Sequence, residues 1–264
     1  MKQLSQKANS MDLSLDTRVA LVTGAGSGIG RDFAAFLARG GAAVACMGRR
    51  PQAIAETVSA LQAEGFEAFA VVGDVGSDDD VQSAVAKISD WKGRLDIVVN
   101  NAGVYPPGTI TKMAESEWQR TIDTNLSGAY RCIRHSAPVM AQHGYGRIIN
   151  ITSPSSLRGA VGQAAYAASK AALNSLTQSA AAELGRKGIT VNAILMGVVA
   201  TESFVGSYPE GTAELLAKSL PVARTAIAED AEGLLRLLAS QAGSYMTGCV
   251  IPVDGGMSNV MPLI

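Results

Sequence analysis

The chain has 264 residues, of which 47% are apolar or aromatic and 17% are charged, and its formal net charge is −1. This composition excludes an intrinsically disordered chain, which would contain fewer apolar residues and carry more net charge. The balanced charge offers no basic excess for nucleic acid, and no apolar run reaches the ~18 to 20 residues of a membrane span.

Residues 1–12 read as a polar N-terminal tail, and residues 13–264 are predicted to form one domain that includes a substrate lid at 202–220. The first ten residues lack the apolar segment of a signal peptide. The cysteines are odd in number and far apart, which predicts reduced thiols in a cytoplasmic protein. Two histidines without a CxxC motif predict no metal site.

Six short apolar runs without polar alternation follow the tail. Such runs suit strands buried on both faces of a parallel sheet. They are Arg18–Thr23, Ala42–Met47, Ala68–Val72, Leu95–Val99, Arg147–Thr152 and Ile189–Ile194.

Helical patterns lie between these runs. Apolar residues spaced three and four apart predict helices at Ile29–Arg39, Pro51–Glu64, Asp78–Asp90, around Ser116–Gln142, and at Gly162–Gly185. Strand–helix alternation predicts an α/β fold: a single-domain, doubly wound Rossmann fold with a mostly parallel, seven-stranded sheet and helices on both faces.

Three consecutive carboxylates, Asp78, Asp79 and Asp80, open the third helix behind Ser77. Ser77 is a suitable N-cap, and the helix dipole favours anions in the first turn. A metal site is the other reading, but consecutive helical residues point in different directions. The capping interpretation is therefore favoured.

A glycine-rich turn, Thr23–Gly30, joins the first strand to the first helix. Glycines allow a tight turn and let backbone N–H groups approach a pyrophosphate at the helix N-terminus. The turn therefore predicts a dinucleotide site, and a plain strand–helix connection is the alternative. The predicted contacts in the turn are Gly24, Ser27, Gly28, Ile29 and Gly30.

Arg49 and Arg50 follow the second strand, where an NAD-binding fold places a carboxylate on the adenosine ribose. An arginine pairs with the additional phosphate of NADP through charge-assisted hydrogen bonds. The sequence therefore predicts NADP(H), with NAD(H) as the alternative. In the alternative interpretation, both arginines are solvated surface residues before a helix and bind no ligand.

Tyr166 and Lys170 are four residues apart in the last long helix, so both side chains lie on one face. An ammonium beside a phenol lowers the phenol pKa, and such a tyrosine can act as an acid or a base near neutral pH. Ser153 closes the fifth apolar run, at the edge where parallel α/β sheets bind ligands.

Together with further motifs, these residues resemble the short-chain dehydrogenases/reductases in their compact single-domain form. The resemblance extends from about Leu13 to Met257. Its motifs are Thr23-Gly24-x-x-x-Gly28-x-Gly30, Asp74-Val75, Asn100-Asn101-Ala102-Gly103, Asn125, Ser153, Tyr166-x-x-x-Lys170 and Asp254-Gly255-Gly256.

The resemblance implies four catalytic residues. Tyr166 would exchange a proton with the substrate oxygen, and Lys170 would lower the pKa of Tyr166 and bind the nicotinamide ribose. Ser153 would hold the same oxygen and stabilise its developing charge. Asn125 would hold a water in a proton relay to Lys170.

The resemblance also implies further cofactor contacts. Asn101, Ala102 and Gly103 would pack along the dinucleotide, and Asp74 with Val75 would bracket the adenine. Met196-Gly197 replaces the family's Pro-Gly, which relaxes this turn. Near it, Gly197, Val199 and Thr201 would meet the carboxamide or the phosphates.

The predicted substrate pocket is formed by Pro154–Gly162, by residues near Tyr105 and by the lid. Its predicted lining is mostly apolar and comprises Leu157, Val161, Met196, Phe204 and Tyr208. Arg158 is the candidate contact for an anionic substrate group. Small residues on the long helices, together with the resemblance, predict a homo-oligomer, specifically a tetramer.

These features predict an NADP(H)-dependent oxidoreductase that interconverts a carbonyl and a secondary alcohol. An NAD-dependent alcohol or polyol dehydrogenase of the same family is the nearest alternative. A non-catalytic dinucleotide-binding regulator and an epimerase or dehydratase are alternatives from other classes.

Overall fold

Seven parallel strands form the centre of the computed structural model, which describes residues 12–201 and 211–260. The strands are β1 (Val19–Thr23), β2 (Ala43–Gly48), β3 (Ala68–Val72), β4 (Ile97–Asn100), β5 (Gly146–Thr152), β6 (Ile189–Met196) and β7 (Val250–Val253). Their order is β3-β2-β1-β4-β5-β6-β7, and every neighbouring pair is parallel. The order reverses direction beside β1, and ligands bind at such a switch point in parallel α/β sheets.

Helices cover both faces of the sheet. In the described residues the α-helices are α1 (Gly28–Arg39), α2 (Pro51–Ala63), α3 (Asp78–Lys92), α4 (Glu115–Ile122), α5 (Gly128–Gln142), α6 (Ala164–Leu184), α7 (Thr212–Ser219) and α8 (Glu232–Ala239). Each of the first three follows a strand and precedes the next, which is the βαβ connection that parallel strands require.

Two hydrophobic cores lie on opposite faces of the sheet because successive strand residues point to opposite sides. Ala20 and Val22 pack with residues of α1 and α8 in one core. Val19 and Leu21 pack with residues of α3 and α5 in the other. The apolar runs lack polar alternation because both of their faces are buried.

The structure confirms the predicted fold class, and the sheet is parallel throughout. All six apolar runs form strands, and the seventh strand directly precedes the Asp254-Gly255-Gly256 motif. The helical region predicted at 116–142 is interrupted, because a π-helical turn, Asp123–Ser127, separates α4 from α5. Such turns are frequent at functional sites, and this one carries Asn125.

Most of the predicted tail and part of the predicted lid lie outside the described residues. These parts are residues 1–11 and 202–210, which include Phe204 and Tyr208. The remainder of the lid forms α7 and ends at Leu220, which is buried.

All three cysteines are unpaired, and Cys249 is only partly buried. Cys46 and Cys132 are buried, and burial raises the pKa of each thiol to about 12. A thiol with so high a pKa stays protonated and unreactive. In the described parts of the chain, no helix is long and apolar enough to cross a membrane. No group of three His, Cys, Asp or Glu residues there could hold a metal ion.

The acidic triplet serves local structure, as the capping interpretation predicts. The Ser77 Oγ accepts a hydrogen bond from the Asp80 N–H at 3.2 Å. The Asp80 carboxylate in turn accepts from the Asp74 N–H at 2.8 Å, and Asp78 lies 2.9 Å from His135 Nε2. The carboxylates therefore bind different partners, and Asp80 holds the loop between β3 and α3.

Removing the cap tests this description of α3. We expect Ser77→Ala to lower the free energy of unfolding by about 1 kcal/mol, because one N-terminal N–H loses its acceptor. Ser83→Ala, at an exposed position of the same helix, should change it by less than ~0.5 kcal/mol. Urea unfolding followed by circular dichroism measures both, and equal losses in the two variants would contradict the capping role.

Candidate active site

A cavity of about 960 Å³ opens at the carboxyl ends of β1, β2 and β4, beside the N-terminus of α1. This volume is at the upper end of the range for small-molecule and cofactor sites. Most of the predicted cofactor residues line it. They are Gly24, Ser27, Gly28, Ile29, Gly30, Arg49, Arg50, Asp74, Val75, Asn101, Ala102, Gly103, Val199 and Thr201.

Two positions of the glycine turn require glycine because a side chain there would overlap neighbouring atoms of the chain. A Cβ on Gly30 would overlap the Gly24 carbonyl oxygen and the Asn101 side-chain nitrogen. Gly24 has a φ of +68°, and its Cβ would lie 2.9 Å from the Ala102 Cα. The turn can therefore lie against the segment after β4, and its glycines line the cavity.

Thr23 holds the glycine turn and the Asn101-Ala102 segment together. Its Oγ1 accepts hydrogen bonds from the N–H groups of Asn101 and Ala102, at 3.1 and 3.0 Å. The Asn101 side chain donates to the Thr23 carbonyl at 3.0 Å. This amide therefore fixes the cavity wall. Thr23 is the first residue of the glycine motif, but the motif does not indicate these hydrogen bonds.

The two arginines after β2 lie at one end of the cavity and have different partners. Arg50 Nη2 donates to the Ser27 Oγ at 3.0 Å, so it bridges the second strand to the glycine turn. Arg49 Nη1 lies 3.6 Å from the Asp74 Oδ2, and both side chains are substantially exposed. This end of the cavity therefore carries two guanidinium groups, of which one faces a carboxylate.

Lys170 is buried, with 4% of its surface exposed, although it carries an amino group. Its Nζ donates to the Ile151 carbonyl at 2.8 Å and lies 5.7 Å from the centroid of the Tyr166 ring. Burial lowers the pKa of this ammonium from 10.5 to about 8. The structure thus brings the predicted lysine and tyrosine together on α6, beside the end of β5.

Ser153 and Tyr105 lie on two loops beside this pair. The Ser153 Oγ accepts from the Ser155 N–H at 3.3 Å, which caps the short 3₁₀ turn Pro154–Ser156. The Tyr105 ring meets the Tyr166 ring edge to face, with centroids 5.2 Å apart. The Gly108 N–H donates to the Gly162 carbonyl at 3.2 Å, so the loops that carry Tyr105 and Ser153 are joined.

The buried Asn125 connects the wall of the large cavity to α6. Its Oδ1 accepts from the Val104 N–H at 2.8 Å, and its Nδ2 donates to the Val104 carbonyl at 3.0 Å. The same Nδ2 lies 3.2 Å from the Ser169 Oγ, next to Lys170. Because Val104 lines the cavity, these bonds tie the cavity wall to α6.

Several predicted residues lie away from the large cavity. Gly197 lines a second cavity of about 310 Å³, where its Cβ would lie 2.8 Å from the Asp254 Cα. This close approach explains the glycine, and its cofactor contact stays a prediction. The Arg158 guanidinium donates to the Ser258 carbonyl at 2.7 Å, so it has a partner within the chain.

The predicted substrate lining is divided between surface and core. Leu157 and Val161 are exposed on the loop after Ser153, whereas Met196 is buried within the sheet. The large cavity also has lining residues that the sequence did not indicate: Asp32, Ala53, Ile54, Thr124, Ile227, Ala228 and Glu229. Burial and Glu229 raise the pKa of Asp32. The segment at 227–229 comes close only through the fold, so no local pattern marks it.

Comparison with known proteins gives consistent matches across nearly the whole chain. A family model described as enoyl-(acyl carrier protein) reductase matches residues 24–258. The 3-oxoacyl-[acyl-carrier-protein] reductase FabG of Staphylococcus aureus is 38% identical, over 91% of this chain and 98% of that protein. The Pseudomonas aeruginosa FabG is 39% identical, over 93% and 99%.

A solved structure shows the same architecture. The gluconate 5-dehydrogenase of Burkholderia cenocepacia, in complex with NADP and tartrate, has a TM-score of 0.91 and 32% identity. The match covers 95% of this chain and 99% of that one. The chain therefore belongs to the short-chain dehydrogenase/reductase family. It is an NAD(P)-dependent oxidoreductase that acts on CH–OH and C=O groups. Membership of this family confirms the predicted enzyme class.

The buried lysine predicts a pH-dependent stability. The folded-state pKa of Lys170 is about 8 and its ordinary value is 10.5, so the unfolded chain binds the proton more tightly. This group therefore lowers stability below pH 8, and the loss disappears as the pH rises towards 10.5. Relative to Lys170→Met, wild type should gain up to ~3 kcal/mol over this window.

Urea unfolding at several pH values between 7.5 and 10.5 measures the difference between the two proteins, so that other titrating groups cancel. Lys187→Met, at an exposed position, serves as the control and should follow wild type. A constant difference between wild type and Lys170→Met would contradict the lowered pKa of the lysine.

Proposed function

We propose that the protein is an NADP(H)-dependent carbonyl reductase and secondary-alcohol dehydrogenase, with Tyr166 as its acid and base. The observation that carries this proposal is the buried Lys170 ammonium, 5.7 Å from the Tyr166 ring, on a helix that Asn125 ties to the wall of the dinucleotide cavity. These contacts would keep the proton-transfer group at a fixed position relative to the cofactor cavity.

The residues of the large cavity fit a bound dinucleotide. The glycine turn and the N-terminus of α1 would hold the pyrophosphate, because N–H groups and the helix dipole both favour anions there. Asp74 and Val75 would flank the adenine, and Asn101, Ala102 and Gly103 would follow the cofactor towards Tyr166. When bound, NADP(H) donates or accepts hydride at the substrate carbon.

Lys170 would keep Tyr166 ready for proton transfer. With a pKa of about 8, the lysine is mostly an ammonium at neutral pH, and its hydrogen bond to the Ile151 carbonyl fixes its position. A nearby positive charge favours the phenolate of a tyrosine. In reduction, the Tyr166 hydroxyl would donate its proton to the carbonyl oxygen, and in oxidation the phenolate would accept one.

Ser153 would hold the substrate oxygen during this transfer. Its Oγ accepts a hydrogen bond from the Ser155 N–H, which leaves the serine hydroxyl proton to be donated. A donor fixed before the reaction stabilises the charge that develops on the oxygen. The Asn125 amide already binds Val104 and Ser169, so we propose that its main chain would hold the water of the proton relay.

NADP would be preferred because the arginine end of the cavity can bind an additional phosphate. Ser27, Arg49 and Arg50 would surround the phosphate on the adenosine ribose, and guanidinium groups bind phosphate through paired hydrogen bonds. The B. cenocepacia relative has NADP bound, which supports this choice. Cytoplasmic localisation and the homotetramer stay predictions.

The relatives suggest two substrate classes. Their names refer to 3-oxoacyl groups on a carrier protein and to gluconate. We therefore propose a small ketone or its alcohol as substrate. A screen at 340 nm with both cofactors should include 3-oxoacyl thioesters, sugar acids and polyols.

Replacing the phenol tests the proposed acid and base. We expect Tyr166→Phe to lower kcat by about 10²- to 10⁴-fold, because the substrate oxygen loses its proton donor. Titration calorimetry should show that the Kd for NADPH changes less than about twofold. Tyr130→Phe, at an exposed position on α5, should retain full activity. An active Tyr166→Phe enzyme would overturn the assignment, and NADPH binding without turnover in wild type would favour a regulator.

Reversing one charge tests the cofactor preference. We expect Arg49→Asp to lower the ratio of kcat/KM for NADPH to that for NADH by about tenfold or more, because a carboxylate repels the additional phosphate and a charge-assisted bond is lost. Arg39→Asp, which removes an exposed pair with Glu64 elsewhere, should leave the ratio unchanged. A wild-type enzyme that prefers NADH would contradict our interpretation of the arginines.

A further inference from the structure

Arg131, on α5, joins two parts of the site that lie on different elements. Its Nη1 donates to the Val75 carbonyl at 3.2 Å, and its Nη2 donates to the Asp123 Oδ1 at 2.8 Å. Only 19% of the arginine side chain is exposed, so these bonds are largely shielded from water. The arginine thus connects the loop after β3 to the π-helical turn before α5.

The loop after β3 forms one wall of the large cavity, at its arginine end. Asp74 and Val75 both line the cavity, and Asp74 faces Arg49 at 3.6 Å. The loop packs closely on α5, because a Cβ on Gly128 would lie 2.7 Å from the Val75 Cγ2. Asp80 holds the loop from α3, and Arg131 holds it from α5.

The other partner of Arg131 belongs to the turn that carries Asn125. Asp123 opens this π-helical turn, and its Oδ2 lies against Gly76, where a Cβ would be 3.1 Å away. The neighbouring Thr124 lines the cavity. The Arg131 guanidinium therefore fixes the spacing between the Asp74-Val75 wall and the turn that contacts α6.

We propose that Arg131 is a positioning residue for the adenine half of the dinucleotide. It acts by holding the Val75 carbonyl, so that the Asp74-Val75 wall keeps the shape that receives the base. This inference rests on the proposed placement of NADP(H) in the large cavity. Arg131 does not line that cavity, so its effect on binding passes through the loop.

The experiment compares the two halves of the cofactor as separate ligands. Titration calorimetry measures the Kd of 2′,5′-ADP, the adenine half, and of reduced nicotinamide mononucleotide, the other half. For Arg131→Met we expect the Kd of 2′,5′-ADP to rise about tenfold, because a charged hydrogen-bond donor to the loop is lost. The Kd of the mononucleotide should stay within about twofold of wild type.

Two further variants separate this role from a general effect. Arg134→Met removes a neighbouring arginine of α5, which is 56% exposed and lies 3.6 Å from Asp78. It should leave both Kd values unchanged, since an exposed ion pair contributes little. Arg131→Lys retains the charge but not the fork that reaches two acceptors. It should raise the Kd of 2′,5′-ADP by about threefold, and it provides the test should Arg131→Met fail to fold.

The outcomes distinguish this inference from the proposed function. If wild type binds both fragments and the Arg131 variants bind 2′,5′-ADP equally well, the role of Arg131 is overturned while the cofactor site stands. An equal loss for both fragments would show general loosening and would also overturn it. If wild type binds neither fragment, the proposed dinucleotide site fails together with this inference.

Discussion

Burying the ammonium of Lys170 is the constraint on which the proposed catalytic arrangement depends. Removing a charge from water is costly, and here it lowers the pKa of the lysine to about 8. The protein offsets part of this cost with the hydrogen bond to the Ile151 carbonyl, near the carboxyl end of β5. The carboxyl edge of the sheet and helix α6 therefore jointly hold the charge beside Tyr166.

Backbone geometry explains why the proposed cofactor cavity opens at the carboxyl ends of the strands. Parallel strands end at the same edge of the sheet, so the glycine turn after β1 and the Asn101 segment after β4 become neighbours. They can come together only because Gly24 and Gly30 leave space for that segment. The switch in strand order beside β1 then leaves a crevice for a dinucleotide.

The fold could be predicted from sequence because its signals are local. Apolar runs buried on both faces, helical spacing and the Ser77 cap each depend on a few adjacent residues, and the structure retains them. Residues of the candidate site could be predicted from motifs that stand at strand ends. The π-helical turn could not be predicted, because the spacing of apolar residues continues through it. The cavity wall at 227–229 could not be predicted either, because it approaches the glycine turn only in the folded chain.

A second group of residues has structural roles that the sequence did not indicate, because their side chains bind backbone groups. Thr23 holds the N–H groups of Asn101 and Ala102. Asn125 pairs with both backbone groups of Val104, and Arg131 holds the Val75 carbonyl. A motif identifies residue types, but not whether an amide or guanidinium turns towards the cofactor or towards the chain. In this protein the bonds to backbone keep the cavity walls in place, so the shape of the site depends on residues that the ligand need not contact.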